Sequence, residues 1–356
     1  MDQRKTATRF RLRDTAGAGA IGRRSVIKGI SAVAATAVFP PISSALAADP
    51  FKGTISEAIH LGFYIPIYVA KNKGFFAKHG IDMSIKSAGG IAQPVPALIS
   101  GDAQFAVTGT GMSVNSTVEG GRMINVAKIV GHLSVWVIGK PGTVINSIND
   151  LKGKTIATLK YPSNTITTPT YAMKSVGGFS PDDTGVKFLQ LPFGAQIPAV
   201  VDGRADLATV FEWDASIAEK QFGLKTVFSL GKILGPALFT SSFVTEEFRK
   251  QMPDVIQGYC NALAEAQKLL HTDPSVFVEV STAEFPKVDP DVIALARGRF
   301  FGEAAVVPRN PTIPKAEWDA IMKHESSAGS LRQVMSFEEM VDNSFAEKAT
   351  KQFGLS

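Results

Sequence analysis

The residues best suited to hold something small and anionic are the runs Thr108-Gly109-Thr110-Gly111 and Tyr161-Pro162-Ser163-Asn164-Thr165. Each follows a strand-like segment and precedes a helix-like one. Backbone N–H groups at a helix start, with hydroxyls beside them, suit an anionic oxygen. The plain alternative is an ordinary capped helix start. Pro169 allows a second reading of the later run: the helix begins only at Thr168, and Ser163 to Thr167 form a longer loop. His132, Tyr64, Trp213 and Tyr161 offer rings and hydrogen bonds around an organic group, or simply packing. Glu212 and Asp214 suit a ligand amine; alternatively, one of them caps a helix or bridges the lobes on closure. No arginine falls in these runs, and Lys160 is the nearest cation. A dianion is therefore a poor match, and a monoanion or neutral polar heterocycle a better one.

Catalytic patterns are missing. The five histidines are dispersed, with no H-E-x-x-H, no cysteine cluster for zinc and no G-x-S-x-G elbow. No cofactor, metal or catalytic residue is expected. The single Cys260 cannot form an internal disulfide. It shares helical spacing with Ile256, Leu263, Gln267 and Leu270, which places it on a buried face.

The elements that position these residues announce themselves by repetition. Pro96-Ala97-Leu98-Ile99-Ser100-Gly101-Asp102-Ala103-Gln104-Phe105-Ala106 returns 102 positions later as Pro198-Ala199-Val200-Val201-Asp202-Gly203-Arg204-Ala205-Asp206-Leu207-Ala208. Each copy reads as a helix's last turn, a glycine cap and a short buried strand. Two copies predict two similar α/β lobes with a cleft between them; the alternative is coincidence within one sheet.

Along the chain, Ile55 to Phe63 reads as a first strand and Pro66 as a helix start. Ile81 to Lys86 alternates as a half-buried strand, a helix carries Val95 to Ile99, and Phe105 to Thr108 is the next strand. Another helix follows Gly111, then a strand around Val126 to Val130. The pattern restarts at Asn149 to Ala157. A strand around Leu238 to Val244 returns to the first lobe. Helices follow, the last of them opened by the capping box Ser336 to Glu339. Alternating strands and helices imply mainly parallel sheets with covered faces. Ligands in such lobes sit beyond the carboxyl ends of strands. Those ends fall at Phe63-Tyr64, Gly89 to Gln93 (with Gly90 among them), Thr108 to Gly111 and His132. In the second lobe they fall at Tyr161 to Thr165, Phe193-Gly194 and Glu212 to Asp214.

The first 47 residues read as an export signal rather than as fold. Gly22-Arg23-Arg24-Ser25-Val26-Ile27-Lys28 has a twin-arginine pattern, Gly29 to Phe39 is mildly apolar, and Ala45-Leu46-Ala47 suits cleavage. The apolar run is too short to span a bilayer about 30 Å thick. The signal carries eight Lys/Arg and two Asp/Glu, so its removal turns the formal +5 into about −1. The basic balance of the whole chain therefore says nothing about nucleic acid.

Taken in order, these pieces look like a known family. Gly62 to Pro66, Ala70 to Phe76, Ser100 to Phe105, Leu151 to Ile156, and Gly203 to Asp206 through Glu212-Trp213 resemble the periplasmic substrate-binding proteins of ABC importers for nitrate, sulfonate, taurine and thiamine-pyrimidine precursors. The resemblance covers about residues 54 to 250. It implies a two-lobe α/β fold of periplasmic-binding-protein type II, with two crossover segments, hinge closure over a ligand and no chemistry. Lobe one would span 48–138, lobe two 139–236, and 237–356 would return to lobe one and add C-terminal helices. The second-lobe anion loop of the family would lie at Tyr161 to Thr165. A monomeric periplasmic protein follows. It captures a sulfonate-like or aromatic carboxylate-like anion and hands it to a permease in the inner membrane. Alternatives are a pyrimidine-binding protein, a ligand-loaded sensor, and a pyrimidine-synthase-like enzyme. The last relies on a cysteine-rich iron-binding segment, from which this chain departs.

Overall fold

A computed structural model describes residues 49–303 and 306–355; the expected export signal at 1–47 lies outside the described residues. The described chain forms two five-stranded sheets. In the first the order is β2-β1-β3-β10-β4, with β1 at Phe51–Glu57, β2 at Ile81–Ser87, β3 at Phe105–Gly109, β4 at Met123–His132 and β10 at Pro236–Thr245. In the second it is β7-β6-β8-β5-β9, with β5 at Trp136–Gly139, β6 at Thr155–Leu159, β7 at Lys187–Leu191, β8 at Leu207–Val210 and β9 at Lys225–Ser229. Four strands in each sheet run one way. The fifth, β10 in one and β5 in the other, is antiparallel to both neighbours. Each of these is the first strand after the chain has crossed between sheets. This is the two-lobe architecture with two crossings. The first crossing comes slightly earlier than residue 138, because Trp136 already pairs with Val210 in the second sheet.

The repeated segment occupies the same place in both lobes. Gly101 takes φ +82 and Gly203 φ +75, a left-handed conformation that glycine adopts without strain. Ala103 N–H bonds Ala97 O at 2.9 Å, and Ala205 N–H bonds Ala199 O at 3.0 Å. Side chains repeat too. Gln104 Oε1 accepts from Thr54 N, and Asp206 Oδ2 accepts from Thr155 N, both at 2.8 Å. Each copy delivers a strand, β3 or β8, to the position beside its sheet's antiparallel strand.

Several boundaries differ from the reading above. The first strand runs 51–57, and Phe63-Tyr64 lie in a 3-10 turn that leads into the helix Ile65–Asn72. Gly62 is required there by close approach: a Cβ would sit 2.5 Å from the Trp213 ring. The helix near Pro169 begins at Asn164 and runs to Ser175, so Ser163 to Thr167 are not a long loop. Pro169 cannot donate to Thr165 O, and the Thr209 hydroxyl donates to that carbonyl instead, at 2.5 Å. The capping box at Ser336 opens only one turn, Phe337–Met340, and a further helix, Ser344–Gln352, follows.

Lobe one's core is built on the 20-residue helix Pro253–Thr272. Its Tyr259 stacks on Phe105 with ring centres 4.0 Å apart. Cys260 is fully buried there, its thiol facing Val126 O at 3.6 Å, and burial pushes its pKa up. Not all of the tail stays with lobe one. Helix Pro290–Gly298 packs on the lobe-two helix Asp214–Phe222 and is followed by a π-turn, Arg299–Glu303.

Candidate functional site

A cavity of about 230 Å³ opens where the two sheets face each other, lined from both lobes. Phe63, Tyr64, Gly90, Thr108 and Gly109 reach it from lobe one, and Ser163 and Asn164 from lobe two. These seven, together with Ile91 and Phe193, which also line it, were expected from the strand-end rule. Leu159, Lys160 and Phe211 add to the lobe-two side, and Ala58, Ile59 and Leu61 with Phe239 and Thr240 of β10 to the other. A larger hollow of about 690 Å³ lies between Ser100-Gly101 and Thr245–Gln251, at the far end of lobe one's strands. No lobe-two residue lines it, so closure of the lobes cannot shape it.

The cavity's lining combines two kinds of surface. Phe63 sits at the centre of an aromatic cluster, with Phe211 and Phe239 each 5.8 Å away in edge-to-face contact. Ser163 caps the helix Asn164–Ser175 by accepting from Thr165 N at 3.3 Å. Lys160 is the only charged residue among the lining and is exposed. Thr108 is already committed, donating to Ile91 O at 2.7 Å. Tyr64 is buried, which pushes its phenol upward and keeps it neutral. Among the polar side chains of the lining, Lys160, Ser163 and Asn164 lie on lobe two.

Eight expected site residues lie elsewhere, and each has a structural occupation. The Thr110 hydroxyl is buried and donates to Leu238 O at 2.7 Å, tying the end of β3 to β10. Gln93 is exposed and folds back over Gly90. His132 ends β4 opposite Pro236, so it belongs to the two crossings. Tyr161 points outward and donates to Gly329 O at 3.3 Å, linking lobe two to the end of helix Lys315–Ser327. The Thr165 hydroxyl accepts from Leu159 N at 2.9 Å and is buried.

Glu212 and Trp213 point into the seam with the tail. Glu212 Oε1 accepts from Arg299 at 2.9 Å and from Ser216 Oγ, also at 2.9 Å. Arg299 also donates to Glu219 at 2.7 Å and to Thr226 at 2.9 Å, which satisfies its planar fork. Burial pushes Glu212 up to about 7, with Arg299 pulling the other way. Trp213 packs against Phe285 and Phe300 at 5.2 and 5.7 Å. Asp214 opens its helix with no charged partner among the described residues, and burial raises it to about 6. Glu212 Oε2 also accepts from Ser216 N at 3.1 Å in the first turn of helix Asp214–Phe222, so its contacts combine a helix cap with the tie to Arg299.

The family's sequence profile, described as NMT1/THI5 like, matches residues 63–276, more than half of the chain. The chain belongs to the NMT1/THI5-like family. A relative, the candidate binding protein YtlA of Bacillus subtilis strain 168, is 23% identical over 304 residues, covering 85% of this chain and 90% of its own. Three solved structures share the NMT1/THI5-like chain's fold. The alkanesulfonate-binding protein SsuA of Xanthomonas axonopodis pv. citri, bound to MOPS, has a TM-score of 0.64 at 15% identity, covering 83% of this chain and all of that one. The periplasmic nitrate-binding protein NrtA of Synechocystis PCC 6803 also scores 0.64, at 13% identity over 85% and 89%. A mutant of the enzyme DszB in complex with biphenyl-2-sulfinic acid scores 0.63 at 13% identity over 85% and 99%. The periplasmic-binding-protein fold of this NMT1/THI5-like chain is thereby established.

Proposed function

We propose that this protein is the solute-binding component of an ABC importer, holding a small organic anion, sulfonate-like or aromatic carboxylate-like, between its lobes. One observation carries the reading: the inter-lobe cavity puts an aromatic cluster opposite a lysine and a capped helix start, with no carboxylate in its lining. The ligand's charged end would meet Lys160, Ser163 and Asn164, and its apolar body Phe63, Phe211 and Phe239. Binding rather than catalysis is favoured because the one thiol is buried and raised, and no carboxylate lines the cavity. Delivery to a permease in the inner membrane, a monomeric state and export through the Arg23-Arg24 signal with cleavage after Ala47 complete the proposal.

The aromatic walls also favour a runner-up, a pyrimidine or other neutral heterocycle. A thermal-shift screen of the protein from Ala48 onward separates the two. A ligand that binds only the folded state at a hundred times its Kd adds about 2.7 kcal/mol. Sulfonates or aromatic acids should raise the melting temperature, with pyrimidines inert. Pyrimidines alone raising it would reverse the ranking.

A further inference from the structure

Phe193 is the anomaly of the cavity. The other three phenylalanines are at most 9% exposed, whereas Phe193 lines the same space with 59% of its surface in water. Its backbone is not loose. Ala195 N–H bonds Pro192 O at 3.2 Å, and Gly194 takes φ +85, a tight turn with Phe193 at its tip. Proline before the ring and glycine after it hold the side chain out over the mouth. A large apolar ring kept in water at a cavity rim gains by covering a ligand.

The placement of the charge gives this ring a direction. Leu159 of β6 pairs in register with Leu191 of β7. Lys160 is thus one residue, and Phe193 two residues, beyond a matched pair on neighbouring strands. Both residues line the cavity from lobe two, across from Phe63 and Phe239 of lobe one. The volume agrees with one ring. At about 30 Å³ per water, 230 Å³ holds some seven or eight waters, a space that an inorganic anion would leave mostly wet.

We propose that the cleft is ring-selective, taking a one-ring aromatic monoanion, and that Phe193 is the specificity-determining wall that closes on the ring while Lys160 holds the charged group. This rests on the organic-anion reading above and narrows it. Phe193 is largely exposed and lies outside the hydrophobic core clusters, so Phe193→Ala should keep the unliganded melting temperature.

Calorimetric titration of the protein from Ala48 onward with benzoate, benzenesulfonate, methanesulfonate and nitrate tests it, on wild type, Phe193→Ala, Phe193→Trp and Lys160→Ala. Wild type should prefer the aromatic anions at least about tenfold. Phe193→Ala should lose about tenfold for these and less than twofold for methanesulfonate, with Phe193→Trp restoring the preference. Lys160→Ala should weaken aromatic and alkyl anions alike. Anion binding without ring preference, or equal losses in Phe193→Ala for both classes, would overturn ring selectivity alone. Failure of every anion to bind would instead overturn the reading beneath it.

Discussion

Lys160 was legible as the one cation near the proposed loops, and Thr110 was not legible as a structural hydroxyl. The difference is one of partners. A side chain's position beyond a strand end follows from local pattern, but its hydrogen-bond partner can lie far away in sequence, as Leu238 does for Thr110. Phe239 had no local signal, because it sits within a strand that reaches the cavity only by crossing back. Lys160→Gln should weaken anion binding about tenfold and flatten its salt dependence, measured by titration at 50 and 300 mM salt. Asp214 gives a stability test with a definite sign. Its folded pKa, about 6, lies above its unfolded value, so its contribution is full below about pH 4 and is lost as pH climbs through 6. That is a cost of up to about 3 kcal/mol at neutral pH, reduced by about 0.5 kcal/mol from the helix N-terminus. Asp214→Asn should therefore leave urea stability unchanged at pH 4 and raise it by about 2 kcal/mol at pH 8. Equal effects at both pH values would contradict the burial account.

Among the elements, most strands and the glycine-capped repeat followed from short-range pattern, since φ-positive glycines and period-two alternation are local facts; the order of the strands, with β10 between β3 and β4, did not. The start of helix Asn164–Ser175 did not, because what lets it pass through Pro169 is Thr209, forty residues on. Thr209→Val should leave Thr165 O without its donor and cost about 1–3 kcal/mol in chemical unfolding. The tail's grip on lobe two was also invisible to local reading. Arg299 arrives 87 residues after Glu212, with nothing nearby to mark the pairing. Arg299→Met should destabilise by about 3–5 kcal/mol at pH 8, by leaving Glu212 buried and unpaired. The loss should shrink near pH 5, where Glu212 takes up a proton and no longer needs a counter-charge. A loss independent of pH would mean that packing, not charge, holds this seam.

Taken whole, the molecule is two copies of one sheet plan exchanging a single strand each way. β5 and β10 are each the first strand after a crossing, so the crossing segments lie near residues 133–135 and 235, where His132 and Pro236 pair, while the tail helix Pro290–Gly298 also lies on lobe two. The cavity lies between the rims, its aromatic half contributed mainly by lobe one and its polar half by lobe two, so one ligand satisfies both only when the rims are close. The most direct test is a crystal structure of the protein from Ala48 onward with 4-bromobenzoate, located by the anomalous signal of bromine. The bromine should lie among Phe63, Phe211 and Phe239, with the carboxylate toward Lys160 and Asn164. Bromine found only in the hollow beside Thr245–Gln251, or nowhere at saturating ligand, would contradict the account.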